Sequence, residues 1–439
     1  MNYAVHEVLQ FVEENDVKFI RLTFCDIFGM QKNIAIMPSQ LARAFEQGIS
    51  FDASAVRGFM NVAESDLFLV PDPGTLAVLP WRPAQGRVVR FFCNILYPDG
   101  TPFEGDGRRI LKDAAERAQK QGYSCKFGPE CEFYLFETNE QGYPTYTPQD
   151  NASYCDIAPA DRGENVRREI CLTLEEMGIL PETSHHEQGP GQNEVDFKYA
   201  DPLEAADNVM AFRSVVKAIA SKNGLYASFC PKPLTDKSGN GMHINMSLQK
   251  GERNLFENFD EHIGGEAASF VQGVLNRAGE ITAFLNPLTN SYRRLGEFEA
   301  PRYISWSRQN RSQLVRVPAA KGAYSRFELR SPDPACNPYL AFALLIGAGL
   351  EGISQNAALC APANLDLFHA NKAQLETFET LPQSLEEALE KAAASHFAKQ
   401  VLTQSTVEKY INQKQRECGA HRKAGGTHAF EMEQYFNDI

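Results

Sequence analysis

The sequence predicts an α+β protein of two domains, and three observations lead to this prediction. Near its start, one helix-like segment is followed by short segments with the alternating pattern of strands. The stretch YPDGTPFEGDG, residues 97–107, then carries the strongest turn signal in the chain. Beyond it, helices alternate with strands that place charged side chains on one face. We therefore predict domains over residues 1–100 and 105–439.

The first domain begins with one helix and continues mostly as strands. VHEVLQFVEEN has helical spacing, whereas KFIRLTF and KNIAIM are typical of two paired strands. A second helix is predicted in PSQLARAFEQG, which starts at a proline and stops at Gly48. Further strands are predicted around DLFLV, TLAVL and RVVRFFCNIL.

The second domain opens with the amphipathic helix GRRILKDAAERAQKQG, which leads into the strand KFGPECEFYLF. The longest apolar stretch, YLAFALLIGAGL over residues 339–350, is too short to span a bilayer, so we expect a buried core helix. The acidic helices from SLEEALEKAAA onward have the composition of surface or assembly helices.

Composition excludes several classes of protein. A formal net charge of -13 argues against general affinity for nucleic acid or anionic membranes, whose phosphates would be repelled. The 10 cysteines form no C-x-x-C pair and several lie in apolar runs, which favours buried reduced thiols over disulfides. The N-terminus lacks the basic segment of a signal peptide. We expect a cytoplasmic protein that binds neither nucleic acid nor membrane.

Four strands carry an unusual polar face. Strict alternation gives the following sets, one to a strand: Glu130 and Glu132; Glu194 and Asp196; His243, Asn245 and Ser247; and Arg326, Glu328 and Arg330. On one sheet face they would form a cavity whose carboxylates need cations, and oxygen ligands with one imidazole suit Mg²⁺ or Mn²⁺. The arginines suit carboxylate and phosphate groups. A metal ion, a phosphate and a carboxylate are together the groups that phosphoryl transfer requires. Solvated sheet faces and structural ion pairs are the alternatives.

The segment SHHEQGPGQNE adds two observations. His185 and His186 are adjacent on an extended segment, so they point in opposite directions and cannot easily bind one ion. A Gly-Pro-Gly turn separates Glu187 from Glu194 and could return both carboxylates to one site.

Several segments, in order along nearly the whole chain, resemble class I glutamine synthetases. They are NPLTNSYRRL, EAPRYISWSRQNRS, FELRSPDPACNPYLAFA, HHEQGPGQNEVDF and KPLTDKSGNGMHINMS. The resemblance implies an N-terminal β-grasp domain and a C-terminal catalytic domain of the glutamine synthetase/guanido kinase type with an antiparallel sheet. It also implies a dodecamer of two hexameric rings, with active sites between neighbouring subunits.

The resemblance further implies roles for individual residues, carried over motif by motif. One metal site would be Glu132, Glu187 and Glu194, and the other Glu130, His243 and Glu328. The glutamate-binding and flap positions would be Gly239, Arg294, Glu299, Arg311 and Arg330. Positions around ATP would be Glu182, Ser247, Arg311, Arg316 and Arg326. Asp52, supplied by the adjacent subunit, would bind ammonium and help to deprotonate it, and Tyr154 would line the same pocket. Asp52, Glu299 and Arg311 would be catalytic.

The implied reaction joins ammonia to the γ-carboxylate of L-glutamate through γ-glutamyl phosphate, giving glutamine, ADP and phosphate. ATP is the co-substrate, and two to three Mg²⁺ (or Mn²⁺) ions per site would neutralise phosphate charge. Arg311 and Arg316 would stabilise the transferring group, and Glu299 would close the site against water.

The sequence departs from the family around the third substrate and the lid. The family's F-D-G-S-S-I is FDASAV here, and its R-L-V-P-G-Y-E-A-P is the shorter RLGEFEAP. SGNGMH replaces N-G-S-G-M-H, and HHEQGPGQNE replaces HHEVAPGQHE. Asp52 and Glu299 remain, which favours ammonia.

The alternatives are a γ-glutamyl ligase for a polyamine, methylamine or ethanolamine, a non-catalytic structural relative, and, more remotely, a guanidino kinase. Residues 364–368 lack the tyrosine that some relatives adenylylate, so we predict no such regulation.

Overall fold

The computed structural model describes residues 4–257, 259 and 265–439. The first part of the chain forms a 6-stranded sheet with two helices. Its elements are α1 (Val5–Glu14), β1 (Val17–Cys25), β2 (Gln31–Ile36), α2 (Leu41–Gln47), β3 (Ile49–Asp52), β4 (Asp66–Pro71), β5 (Ala77–Val78) and β6 (Arg87–Leu96).

The strand order in this sheet is β2-β1-β6-β4-β3, and β5 also pairs with β6. β1 pairs with β2 antiparallel, as the sequence predicts for KFIRLTF and KNIAIM, but it pairs with β6 in parallel. The strand predicted around TLAVL is reduced to the two residues of β5. Thr75 belongs to a 3₁₀ turn instead, where its hydroxyl donates to the Asp72 carbonyl and accepts from the Phe92 amide.

Residues 97–106 connect β6 to the next helix and contain no helix or strand. The remainder of the chain forms a 10-stranded sheet covered by helices. Its strands are β7 (Tyr123–Thr138), β8 (Pro144–Pro148), β9 (Pro181–His186), β10 (Gln192–Phe197), β11 (Leu225–Ser228), β12 (Met242–Lys250), β13 (Arg253–Asn254), β14 (Trp306–Arg308), β15 (Val315–Val317) and β16 (Phe327–Leu329). The division of the chain at residues 100–105 stays a prediction.

The same part of the chain also contains helices. They are α3 (Gly107–Lys120), α4 (Glu164–Glu176), α5 (Pro202–Lys222), α6 (Glu266–Leu285), α7 (Ser291–Arg294), α8 (Pro338–Ser354), α9 (Lys372–Leu375), α10 (Leu385–Ala394), α11 (His396–Leu402), α12 (Gln404–Lys423) and α13 (His428–Tyr435). The predicted core helix is α8, which is buried on nearly every side. Within the described ranges, each helix is too short or too polar to cross a bilayer.

The larger sheet runs β14-β15-β16-β12-β7-β10-β9, with β8 and β11 also on β7 and β13 on β12. One of its faces is apolar and packs against the helices. Phe133 on β7 contacts Phe212 of α5, and Phe127 stacks on Phe342 of α8 with ring centroids 4.2 Å apart. The opposite face carries the polar side chains, so the helical layer on one side leaves the polar face to line a cavity.

The cysteines in the structure are free thiols, and most are buried. Burial raises the pKa of the thiols of Cys125 and Cys336 to about 12, so these groups stay protonated and unreactive. Cys155 and Cys360 are the exposed exceptions.

Candidate active site

The register of the larger sheet aligns the polar side chains of neighbouring strands. Glu194 of β10 lies opposite Glu132 of β7, and Asp196 lies opposite Glu130. On the other side of β7, His243 of β12 lies opposite Glu130. Because directly opposed residues share a sheet face, these groups point into one space. That space is a cavity of about 550 Å³.

Glu130, His243 and Glu328 form the first metal-type cluster, with one ligand atom from each within 4.8 Å of the others. His243 Nδ1 is 3.5 Å from a Glu130 oxygen and 3.7 Å from a Glu328 oxygen. Glu328 also accepts hydrogen bonds from Arg316 at 2.7 Å and Arg330 at 2.6 Å. Burial opposes ionisation of Glu328, but Arg330, His243 and Arg316 outweigh it and lower its pKa to about 2. This carboxylate therefore stays charged.

Glu132, Glu187 and Glu194, predicted as the second metal set, line the same cavity. Burial first, and then the nearby Glu187 carboxylate, raises the pKa of Glu132 to about 7. Burial also raises the pKa of Glu187 to about 7, and that of Glu194 lies well above its ordinary value. Such shifts mark carboxylates that repel one another where water is scarce, and a bound cation would reverse them.

The ligand types of both predicted metal sets fit Mg²⁺ or Mn²⁺. The ligand atoms are carboxylate oxygens with one imidazole, and no cysteine lies among them in the described cavity. Oδ1 of Asp196 is buried without a hydrogen-bond partner in the described part of the chain, which leaves a lone pair for a ligand.

His185 belongs to the cavity, although sequence reasoning gave it no role. Its Nδ1 lies 3.5 Å from a Glu187 oxygen and its Nε2 lies 3.8 Å from a Glu194 oxygen. His185, Glu194 and Asp196 form a further group with ligand atoms within 4.8 Å of one another. The spacing in the sequence could have indicated this position. His185 stands two residues before Glu187, and alternate residues of an extended chain lie on the same side.

His186 points away from the cavity, as expected of the residue next to His185. Its side chain is fully buried, with Nε2 2.9 Å from Asp150 Oδ1 and Nδ1 2.6 Å from the carbonyl oxygen of Glu187. Asp150 also accepts from the amide of Gly191 at 2.8 Å. This buried network fixes both ends of the Gly-Pro-Gly turn, so Glu187 and Glu194 return to one cavity.

The predicted glutamate-binding and flap residues all line the cavity, namely Gly239, Arg294, Glu299, Arg311 and Arg330, and so does Tyr154. Arg294 is buried and donates to the carbonyl oxygens of Ser331 and Arg330. A Cβ on Gly239 would lie 2.4 Å from the carbonyl oxygen of Pro231, so the loop needs glycine there.

The residues predicted around ATP divide between two neighbouring clefts. Glu182, Ser247 and Arg326 line a smaller cleft of about 90 Å³, while Arg311 and Arg316 line the main cavity. Arg326, together with Glu130 and Asp196, borders both spaces. The two clefts therefore share a wall.

Asp52 is the one predicted site residue that the structure does not place in either cleft. It lies at the end of β3, exposed, and its Oδ1 accepts from the amide and the hydroxyl of Ser54 at 2.9 and 2.6 Å. These hydrogen bonds lower the pKa of Asp52, so it is a surface anion. Its contribution to a neighbouring subunit's site stays a prediction.

The fold and the cavity define an α+β enzyme whose sheet gathers carboxylate clusters for divalent cations beside arginines. Comparison with known proteins gives the family. Residues 16–98 match the family described as "Glutamine synthetase, beta-Grasp domain", and residues 104–435 match "Glutamine synthetase, catalytic domain". The chain belongs to the glutamine synthetase family.

Relatives in this family are similar over their full length. A glutamine synthetase of Clostridium saccharobutylicum is 46% identical over 99% of both chains. One of Methanosarcina mazei is 45% identical over 98% of this chain and 97% of its own. Among solved structures, a GmaS/ADP complex has a TM-score of 0.86 at 29% identity, covering 96% of this chain and 97% of that one. A Plasmodium falciparum glutamine synthetase, at 23% identity and TM-score 0.85 over 99% of both chains, shares the fold.

Proposed function

We propose that the protein is a glutamate-ammonia ligase, which joins ammonia to the γ-carboxylate of L-glutamate at the expense of ATP. The observation that carries this proposal is the single cavity that holds both carboxylate clusters and the arginines, in a chain that matches both glutamine synthetase domains. The relatives named glutamine synthetase, 42–46% identical over nearly the whole chain, support the same reaction.

Glutamate would bind in the main cavity. Arg294 and Arg330 are buried guanidiniums suited to its carboxylates, and Nε of Arg330 is buried with no hydrogen-bond partner in the described residues. ATP would bind in the smaller cleft, with its γ-phosphate toward the shared wall. Arg316 and Arg311 border the cavity there and would stabilise charge on the transferring phosphoryl group.

The two carboxylate clusters would hold Mg²⁺ or Mn²⁺ ions, which when bound neutralise the charge of the ATP phosphates. The protein's own groups then orient the reactants. The γ-carboxylate oxygen of glutamate attacks the γ-phosphorus, and ADP leaves with the electron pair of the broken P–O bond. Ammonia next attacks the γ-carbon of γ-glutamyl phosphate, and phosphate leaves to give the amide.

Two carboxylates would complete the second step. Asp52 of a neighbouring subunit would bind ammonium and accept its proton. Hydrogen bonds from Ser54 lower the pKa of Asp52, which keeps the carboxylate charged for binding the cation. Glu299 would cover the cavity against water. Its Oε1 accepts from Gln188 Nε2 at 2.9 Å, and its other oxygen lies 3.8 Å from Arg330, so it bridges two walls of the cavity.

Assembly and location are part of the same proposal. We propose a homo-oligomer, a dodecamer of two hexameric rings, working in the cytoplasm, with each site completed by the next subunit. Mass photometry would test the assembly, because a fully active monomer would contradict the shared site.

Phosphate release from ATP tests the function, with Mg²⁺, L-glutamate and one amine at a time. The amines are ammonium, methylamine, ethanolamine and putrescine, with a no-amine control. We expect ammonium to stimulate release strongly and glutamine to form in equal amount. Stimulation by an organic amine alone would instead make the protein another γ-glutamyl ligase, with the altered FDASAV and RLGEFEAP segments as the reason.

A further inference from the structure

Lys232 is a buried lysine in the segment before β12, and it contacts Phe298, which lines the main cavity. Its side chain is 2% exposed, and its ammonium donates to the carbonyl oxygen of Lys237 at 2.5 Å. Its backbone is held on both sides by Asn290, which accepts from its amide at 2.7 Å and donates to its carbonyl at 3.1 Å. His428 Nε2 lies 2.9 Å from the same carbonyl. These hydrogen bonds therefore hold both the backbone and the ammonium group of Lys232 in place.

The RLGEFEAP segment forms a tight turn above this lysine. Gly296 donates to the carbonyl of Ala300, and Ala300 donates to that of Glu297, both at 3.1 Å. Phe298, at the tip, has a left-handed backbone with φ 53 and a ring that is 45% exposed. An exposed aromatic residue in that conformation is uncommon and needs support from its surroundings.

That support comes from the ammonium of Lys232, which lies 4.3 Å from the centroid of the Phe298 ring. A cation at this distance over an aromatic face is attracted by the ring's quadrupole. In the described part of the chain Lys232 forms no ion pair with a carboxylate, so its near partners are this ring and the Lys237 carbonyl. One cation therefore joins two separate segments, the flap turn and the loop that precedes Gly239.

The residue after Phe298 is Glu299, whose carboxylate faces the cavity and contacts Gln188 and Arg330. Both Phe298 and Glu299 line the cavity, and the Phe298 ring lies against Lys232 while the Glu299 carboxylate reaches Gln188 and Arg330. Holding the ring thus fixes the backbone from which Glu299 extends.

We propose that Lys232 and Phe298 are positioning residues that latch the flap turn to the 236–239 loop and so hold Glu299 over the cavity. The contact itself stands on geometry alone, whereas its catalytic consequence rests on the proposed function. If the latch opens while γ-glutamyl phosphate is bound, water attacks the γ-carbon and the bond from that carbon to the phosphate oxygen breaks. Glutamate and phosphate then leave, and one ATP is spent without forming an amide.

The charges around Lys232 agree with this role. Burial lowers its pKa to about 8, with Arg294 acting in the same direction and the carboxylates of Glu297 and Asp236 opposing it. The amine is therefore charged at neutral pH, as a cation–aromatic contact requires.

The first experiment measures hydrogen exchange of the flap peptide and needs no substrate. The variants are Phe298→Ala, Phe298→Leu and Phe298→Tyr, in which leucine keeps apolar bulk and tyrosine keeps the aromatic face. We expect the amides of the turn and of residues 236–239 to exchange about fivefold faster in the alanine and leucine variants, and at the wild-type rate with tyrosine. Unchanged exchange in Phe298→Ala would overturn the latch, as would wild-type exchange in the leucine variant.

The second experiment measures ATP consumed per glutamine formed, with ammonium saturating. We expect a ratio near one for wild type and Phe298→Tyr, and a ratio raised about fivefold for Phe298→Ala and Lys232→Met. The double variant should match either single one, because the two residues act through one contact. A raised exchange rate with an unchanged ratio would refute the catalytic consequence. If wild type forms no amide, the proposed function fails, and the exchange experiment still decides on the latch.

Discussion

Asp52 lies outside the cavity of its own chain, and this position leads to a quantitative prediction about mixed oligomers. The perturbation uses two variants that we expect to be inactive, Asp52→Ala and Glu130→Gln. The first removes an exposed carboxylate on the N-terminal sheet, and the second removes one carboxylate of the cluster with His243 and Glu328. Each variant alone should lose most of its glutamine formation, because every site lacks one of the two groups.

Co-expression at equal levels should restore activity if Asp52 acts across the subunit boundary. Half of the sites then have an intact cavity, and half of those face an intact Asp52 from the neighbour. About one quarter of wild-type activity per site is therefore expected for random mixing in a closed ring. If Asp52 served its own chain, every site would keep one defect and no activity would return.

The matched control co-expresses wild type with the double variant that carries both changes in one chain. An Asp52 supplied by the neighbour again gives about one quarter of full activity, whereas an Asp52 used by its own chain gives about one half. Glutamine formation is measured on particles whose subunit ratio has been checked by intact mass. A mixture of single variants no more active than either variant alone would refute the shared site.

Three further predictions concern charge and metal. Glu328→Gln removes the carboxylate that pairs with the buried Arg330 and the partly buried Arg316, so we expect a stability loss of about 3–5 kcal/mol, seen as a lower melting temperature that added Mn²⁺ does not restore. His243→Ala should weaken one class of Mn²⁺ sites at least about tenfold in paramagnetic-resonance titrations, while His369→Ala, at an exposed histidine, should leave them unchanged. Burial raises the pKa of Asp26 to about 6, so its protonation stabilises the fold at low pH and this contribution is lost as the pH rises through 6. Asp26→Asn keeps an acceptor for the two backbone N–H bonds. Between pH 4 and 7 the free energy of unfolding of this variant, measured in thermal melts, should rise by up to about 3 kcal/mol relative to that of wild type. Parallel pH profiles of the two proteins would contradict this.

The sequence was sufficient to predict the polar faces of the strands but not their order. Alternation alone puts Glu130 and Glu132 on one side of β7. That β7 pairs with β12 on one side and β10 on the other depends on how the helices pack behind the sheet, which no local pattern encodes. The alignment of Glu132 with Glu194 therefore appears only in the structure.

Some residues of the site escaped prediction because their neighbours in space come from distant parts of the chain. Gln188 reads as a loop residue, yet its amide reaches Glu299 across the cavity. An adjacent histidine pair does not indicate which ring faces the cavity, and the structure shows that His186 turns into the interior while His185 lines the cavity. Lys232 begins the segment KPLTDKSGNGMHINMS, yet nothing in that pattern predicts that its side chain is buried against Phe298.

The wall shared by the two clefts makes their occupants interdependent. Glu130, Asp196 and Arg326 face both spaces, so a ligand in the smaller cleft changes the charge and position of side chains that meet the other ligand. Thermodynamic linkage makes this influence mutual. If the first ligand changes the affinity for the second by some factor, the second changes the affinity for the first by the same factor. If a nucleotide and an amino acid occupy these clefts, ADP should therefore change the equilibrium affinity for the amino acid, and the amino acid should change the affinity for ADP by the same factor.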